Sequence, residues 1–258
     1  MIEPILQENK VTMPIDLPID EEIQAMVRSG VHIGHIRSKN HPSMKPYIFG
    51  IRNNISIVDL VLTKEKLAGA LEFLKEIASR GGLILFVGTQ PAARTAVLNI
   101  VEKTKMPYFL ERWIGGTLTN FKVISKRVEY METLEREKET GGFDKYTKKE
   151  RMARDEMLQR MKMHFDGLRT LRRLPDAVFV VDVTKEVTAI REARKMHIPL
   201  VALVDTNSNA NLVEYPIPSN DNALPAVRYI LERVRTAIED GKKMSDEKET
   251  DKKKEPAA

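Results

Sequence analysis

The stretch AVFVVDVTKEVTAIREARKMHIPLVALVD, residues 177–205, carries the pattern that decides the fold. Residues 177–181 and 199–204 are continuous apolar runs, each closed by an aspartate, Asp182 and Asp205. Apolar runs of that length, bounded by turn residues, fit strands buried on both faces. Between them Thr184 is placed to cap a helix through Ile190 and Ala193. Parallel strands must be joined by a crossover, and this helix supplies it.

The same alternation extends outward. Leu83-Ile84-Leu85-Phe86-Val87 is another buried strand, and Gly88-Thr89-Gln90-Pro91 turns from it into a helix through Val97 and Val101. Pro107-Tyr108-Phe109-Leu110 reads as a further strand. Ahead of them, Thr63 is expected to cap a helix whose apolar face is Leu67, Ala70, Leu71, Leu74, Ile77 and Ala78, stopped by Gly81-Gly82. Asp20 is expected to cap a short helix ending at Gly30. After Asp205, a short run at Glu214-Tyr215-Pro216-Ile217-Pro218 precedes a final helix capped near Asp221 and running to about Asp240. The expected class is α/β: a parallel sheet flanked by helices, flavodoxin/Rossmann-like and three-layered.

Residues 119–172 interrupt this rhythm. Phe121, Ile124, Val128 and Met131 recur three and four apart, as do Met157, Met161, Phe165 and Leu168. Thr140-Gly141-Gly142-Phe143-Asp144 breaks the two segments, and Thr147-Lys148-Lys149-Glu150 forms a capping box for the second. The pattern predicts an inserted, protruding antiparallel coiled-coil hairpin, its first helix about 30 Å long. Residues 120–173 hold 15 Lys plus Arg against 10 Asp plus Glu. The expected organisation is a flexible N-terminal arm (1–19), a discontinuous α/β domain (20–118 and 173–241), the hairpin insertion (119–172) and a disordered charged tail (242–258).

One stretch stands out by charge. Residues 23–58 contain no Asp or Glu, yet carry Arg28, Arg37, Lys39, Lys45, Arg52 and three of the five histidines, His32, His35 and His41. Within it, Tyr47-Ile48-Phe49 and Ile55-Ser56-Ile57-Val58 flank turn residues and suggest a hairpin. A cationic surface without carboxylates fits a polyanion, whose phosphates would supply most of the affinity. A solvated basic loop is the plainer alternative. The net charge of +5 points the same way.

The other motifs favour plain structural roles. With Cys absent, disulfides and thiolate metal sites are excluded and a reducing compartment is expected. No carboxylate lies near the three histidines in sequence, so hydrogen bonding to backbone or phosphate explains them better than a metal. Gly88-Thr89-Gln90-Pro91-Ala92-Ala93-Arg94 sits where an α/β fold binds phosphate, but lacks Gly-Lys-Ser/Thr and GxGxxG. A tight strand-to-helix turn accounts for it. Asp182 and Asp205, with the loop Asp205-Thr206-Asn207-Ser208-Asn209, could line a site or simply satisfy turn amides. Trp113, beside Gly115-Gly116, reads as the hinge packing the arm on the sheet. No catalytic nucleophile, cofactor or metal is expected. Nor is a membrane span: no apolar run approaches the roughly 20 residues needed. The N-terminus has no signal-peptide h-region.

Taken in register, several segments resemble one family. They are Gly30-Val31-His32-Ile33-Gly34-His35, Asn40-His41-Pro42-Ser43-Met44-Lys45-Pro46-Tyr47-Ile48-Phe49-Gly50, Arg52-Asn53, Leu85-Phe86-Val87-Gly88-Thr89, Arg112-Trp113-Ile114-Gly115-Gly116-Thr117-Leu118-Thr119-Asn120, Leu174-Pro175-Asp176-Ala177, Val204-Asp205-Thr206-Asn207 and Ile217-Pro218-Ser219-Asn220-Asp221. The chain resembles bacterial-type ribosomal protein S-two of the small subunit, over about residues 20–240. It departs at Gln90-Pro91, where the family usually has Lys or Arg, at Asn209-Ala210-Asn211 and at Ser219. The resemblance implies a non-enzymatic, cytoplasmic, ribosome-associated protein with a protruding coiled-coil hairpin. It also implies binding to small-subunit rRNA and neighbouring proteins, including the mobile ribosomal protein S-one, with no small-molecule substrate. By charge and location, the rRNA contacts expected are Arg28, His35, Arg37, Lys39, Lys45 and Arg52, then Arg112, Lys122, Lys126 and Arg127 at the base of the arm. A nucleotide-binding enzyme using Gly88, Asp182 and Asp205, and a free coiled-coil adaptor, are the rival readings.

Overall fold

A computed structural model describes residues 20–254; the N-terminal arm expected at 1–19 lies outside them. Five parallel strands form the main sheet: β4 (Ile84–Val87), β5 (Tyr108–Phe109), β6 (Ala177–Val180), β7 (Leu200–Val204) and β8 (Tyr215–Pro218). Their order across the sheet is β5-β4-β6-β7-β8. That is the flavodoxin-like order, second-first-third-fourth-fifth, with its switch point between β4 and β6.

Successive strand side chains point to opposite faces, and the core divides accordingly. Ile84, Phe86, Phe179, Val201 and Leu203 meet α2 (Leu60–Ser79), α3 (Pro91–Thr104) and α7 (Leu224–Lys254) on one face. Leu85, Val87, Val178, Val180, Ala202 and Val204 meet α6 (Val187–Lys195) and the apolar seam of the helical insertion on the other. Helix, sheet, helix is the three-layer arrangement expected.

The insertion is a pair of antiparallel helices, α4 (Phe121–Glu139) and α5 (Lys148–Phe165). Both bonds of the Thr147–Glu150 capping box form. Ile124, Val128, Met131 and Leu134 face Leu158, Met161 and Phe165 across the seam. Met157, expected there, is 40% exposed, whereas Leu158 is buried. Counting back from Phe165, Leu158 is seven residues away and stays on the seam stripe. Met157, eight away, rotates off it.

Before the main sheet come α1 (Glu21–Arg28) and a small antiparallel sheet of β1 (Ile33–Ile36), β2 (Ile48–Arg52) and β3 (Ile55–Val58), ordered β1-β3-β2. Asp20 caps α1 as expected, accepting from the Glu22 N–H at 3.0 Å. The expected hairpin is β2–β3; Asn53 and Asn54, with φ of 48° and 65°, make its turn. The strand β1 falls in a Gly- and His-bearing run for which no strand was expected.

Two caps differ from expectation, and the one expected near Asp221 is its neighbour Asn220. Asp59, not Thr63, caps α2, accepting from Val61 and Leu62 N–H at 2.9 and 3.3 Å. Thr63 is buried and donates to the Pro218 carbonyl at 2.7 Å. Near α6, Asp182 rather than Thr184 takes the turn amides, of Thr184 and Lys185 at 2.8 and 3.0 Å. Ahead of α7, Asn220 Oδ1 accepts from Asn222 and Ala223 N–H at 2.9 and 3.0 Å, because Asp221 is engaged in the interior. Of the tail expected to be disordered (242–258), residues 242–254 continue α7, and 255–258 lie outside the described residues. Extending an existing helix costs far less than nucleating one, and no Gly or Pro interrupts residues 242–254.

A buried carboxylate joins the insertion to the sheet. Glu192 of α6 accepts from Trp113 Nε1 at 3.1 Å and from the N–H groups of Gly116, Leu118 and Thr119 at 2.8, 3.0 and 3.2 Å. Burial works to raise its pKa, but these donors outweigh it and hold the carboxyl below the usual range. Trp113 itself is buried, its ring 4.8 Å from that of Phe109, as a hinge residue should be. Glu192→Ala would orphan several buried donors at once. It should cost on the order of 3 kcal/mol, read as a lower urea midpoint, while Glu192→Gln should lose less. A change below about 0.5 kcal/mol would remove Glu192 from this role.

Candidate nucleic-acid interface

The carboxyl ends of the parallel strands, where α/β proteins usually bind ligands, are filled from within. Gly88 lets α3 approach β4: a Cβ there would lie 3.0 Å from Ala93 Cβ and Val97 Cγ2. The hydroxyl of Thr89 donates to Glu186, and the side-chain amide of Gln90 donates to Asp182. Asp182, Glu186, Asp205 and Asp221 are all buried here. A phosphate would meet carboxylates and already occupied donors, so the tight-turn reading of Gly88–Pro91 holds.

The N-terminal layer seals this crevice. His35 Nδ1 lies 3.0 Å from Asp205 Oδ2, and the His35 N–H donates to Thr206 Oγ1 at 2.8 Å. The His41 N–H donates to the Thr206 carbonyl at 2.8 Å, and Ala210 N–H donates to Ser43 Oγ at 3.0 Å. Gly34 has no room for a side chain: a Cβ would stand 2.5 Å from Thr206 Cγ2 and 3.0 Å from the Ser56 carbonyl. Sequence reasoning placed His35 among the phosphate contacts. The structure places it 25% exposed against the acid, with its pKa raised chiefly by the bond to Asp205. The other two histidines serve differently. His41 Nδ1 accepts from Ser43 N–H at 3.2 Å, and burial pushes the pKa of His32 down. Among the described residues, no three His, Asp or Glu side chains are placed to hold a metal ion.

The remaining candidates are outside. Arg28, Arg37, Lys39, Lys45 and Arg52 are exposed on the N-terminal layer; Arg112, Lys122, Lys126 and Arg127 are exposed around the base of the helical pair. Met44 of the layer shares one apolar cluster with Trp113, Leu118 and Ile124, so the two groups sit on elements with a common core. Among the described residues, none of these nine cations forms an ion pair. Farther along the helical pair several cations are matched, Lys138 with Asp155 at 3.0 Å, Lys145 with Glu137 at 3.0 Å and Arg151 with Asp144 at 3.3 Å, while Lys148 and Lys149 are exposed and form no ion pair among the described residues. Sequence alone showed the surplus charge of the insertion but not which of its cations are paired.

The layer also exposes apolar side chains. Ile33 and Ile36 pair across the sheet with Ile57 and Ile55. Ile33, Ile36 and Ile55 are 42, 47 and 37% exposed, and Phe49, at a bulge in β2, is 71% exposed.

Fold and surface together define a class: an α/β protein whose ligand crevice is closed by its own acid-free cationic layer, leaving a charged exterior to act. Comparison gives the family. The model of Ribosomal protein S2 matches residues 26–241, and the chain belongs to that family. Small ribosomal subunit protein uS2 from Thermus thermophilus is 44% identical over 217 residues, covering 84% of this chain and 85% of the relative. The uS2 protein of Roseiflexus castenholzii is 40% identical over 220 residues, covering 85% and 84%. Proteins of this family are structural, not enzymes. No helix among the described residues is long and apolar enough to cross a membrane.

The buried acids set a pH dependence. Burial, with the charges of Asp205 and Asp182, pushes Asp221 up to about 8; burial also raises Glu186. An acid with a raised folded pKa binds more protons folded than unfolded, so stability falls as pH rises from about 4 to 8. His35, raised by Asp205, adds stability that is likewise lost as pH rises through its folded pKa. Thermal melts from pH 5 to 8 should therefore fall, by at most roughly 1.4 kcal/mol per unit from Asp221. Asp221→Asn should flatten most of that slope; a parallel, undiminished slope in the variant would refute the assignment.

Proposed function

We propose that this chain is a structural constituent of the small ribosomal subunit in the cytoplasm. It grips small-subunit rRNA through Arg28, Arg37, Lys39, Lys45 and Arg52 of the layer and Arg112, Lys122, Lys126 and Arg127 at the hairpin base. His35, its Nδ1 turned to Asp205 and its side chain 25% exposed, is the minor contributor. In this reading residues 20–118 and 173–241 act as one α/β unit, and 119–172 as an inserted coiled-coil lever. The observation that carries the proposal is the set of nine exposed cations without ion pairs among the described residues on these two adjoining elements, whereas Lys138, Lys145 and Arg151 farther along the pair are held by acids. Unpaired cations keep their full capacity to displace counterions from phosphates.

The apolar face of the layer supports a second contact, with protein. Aliphatic side chains such as Ile33, Ile36 and Ile55 offer nothing to phosphate, and exposed apolar patches mark protein partners. Ribosomal protein S-one is the neighbour proposed there.

Sucrose-gradient sedimentation of extract tests the whole: the tagged chain should travel with small subunits in low salt. Remaining at the top would overturn the proposal. Arg52→Gln should reduce the magnitude of the salt slope for rRNA binding by about one unit without changing the melting temperature. Phe49→Ser should leave rRNA affinity intact and weaken retention of S-one.

A further inference from the structure

The amino-terminal ends of the parallel strands form the opposite edge of the sheet, remote from the buried acids. Every loop entering a strand lies there, because the strands all run the same way. Four of these loops bring cations: Arg80 before β4, Lys105 before β5, Arg172 and Arg173 before β6, and Arg194, Lys195 and His197 before β7. Some are matched, Arg80 by Glu76 at 3.7 Å, Arg172 by Glu132 at 2.9 Å and Arg173 by Asp176 at 2.8 Å. Lys105, Arg194, Lys195 and His197 are exposed and form no ion pair among the described residues. The acids nearby are Glu102, in the last turn of α3, and Glu214, which accepts from the Leu200 N–H at 2.9 Å.

Two of these positions are unusual in backbone. The helices α1, α2 and α4 are each followed by a left-handed glycine: Gly30 at φ 73°, Gly81 at 67° and Gly141 at 75°. Glycine is the favoured residue there because a Cβ is strained in that conformation. At the ends of α3 and α6 the same conformation is held by Lys105 and His197, both at φ 54°. Both are side chains able to carry positive charge, kept where glycine would be the more stable choice. Their strands β5 and β7 are three spacings apart in the sheet, ~14 Å, and α3 and α6 end on its opposite faces, so the cations straddle the sheet edge, across which a run of nucleic-acid backbone can pass.

We propose that this edge is a second phosphate-backbone site for RNA, with Lys105, Arg194, Lys195 and His197 as its contacts. It lies apart from the N-terminal layer, so the protein would clamp RNA at two ends of one sheet. The proposal rests on the rRNA-binding function proposed above and adds to it a face that function does not use.

The test uses the full-length protein and naked small-subunit rRNA, with affinity measured over a salt series. Lys105→Gly should raise the melting temperature by about 2–4 °C, because strain is relieved. It should also cut the magnitude of the salt slope by about 0.7–0.9. Lys195→Gln should cut the slope similarly without the gain in stability, and Lys105→Arg should preserve it. If Lys105→Gly and Lys195→Gln leave the slope unchanged while Arg52→Gln reduces it, the second face is wrong and the first stands. The residues would then serve only the negative ends of their helices. A loss with Lys105→Arg equal to that with Lys105→Gly would also overturn it, since charge would not be the cause. If the unaltered protein shows no salt-dependent rRNA binding, the function proposed above fails and this inference fails with it.

Discussion

The loop from Asp205 to Ala210 holds the molecule's two halves together. Through Thr206 it takes hydrogen bonds from the backbone of His35 and His41, and through Ala210 it donates to Ser43. Its Asp205 carboxylate faces the His35 ring. All this occurs in the crevice where an α/β enzyme would bind its substrate. Here the chain's own N-terminal segment takes that place, and Gly34 makes the approach close enough to exclude solvent. Carboxylates that would otherwise be costly to bury acquire a histidine, hydroxyls and an amide as partners. The fold has exchanged a pocket for a foundation, and the cationic exterior rests on it.

The sheet and its layers were readable in the sequence because buried parallel strands leave uninterrupted apolar runs. Residues 83–87, 177–181 and 199–204 admit little else. Helix starts were harder. Asp59, Thr63, Asp182, Thr184 and Asp221 are all competent caps, and which one caps is decided by what the others meet in three dimensions. Thr63 was claimed by Pro218 and Asp221 by the acid cluster. The strand β1 was hidden because its pairing partner, β3, lies 20 residues on and its outward face is apolar, so it shows no alternation. Glu192 gave no local signal either: its donors are more than 70 residues earlier in the chain. The candidate cations were visible as a gap in acidic residues, but whether each is matched by an acid is decided by the three-dimensional packing.

That matching separates two uses of charge. Along the shaft of the helical pair, ion pairs such as Lys138–Asp155 tie one helix to the other, each worth little at an exposed site. The nine candidate cations around its base and on the N-terminal layer are unmatched among the described residues, which adds nothing to stability but leaves them available. An arginine already held by a glutamate must be released before it can meet a phosphate.

The C-terminal helix has a consequence of another kind. At Gly241 it presses on α2 so closely that a Cβ would lie 2.5 Å from the Lys75 carbonyl oxygen and 2.8 Å from Ala78 Cβ. Beyond that pinch the helix continues 13 residues to Lys254, a rise of about 20 Å. Anything joined past that point, whether an affinity handle or a fluorescent label, would ride on a stalk well clear of the body. A reporter placed there would disturb the folded core little while still registering how the whole particle tumbles.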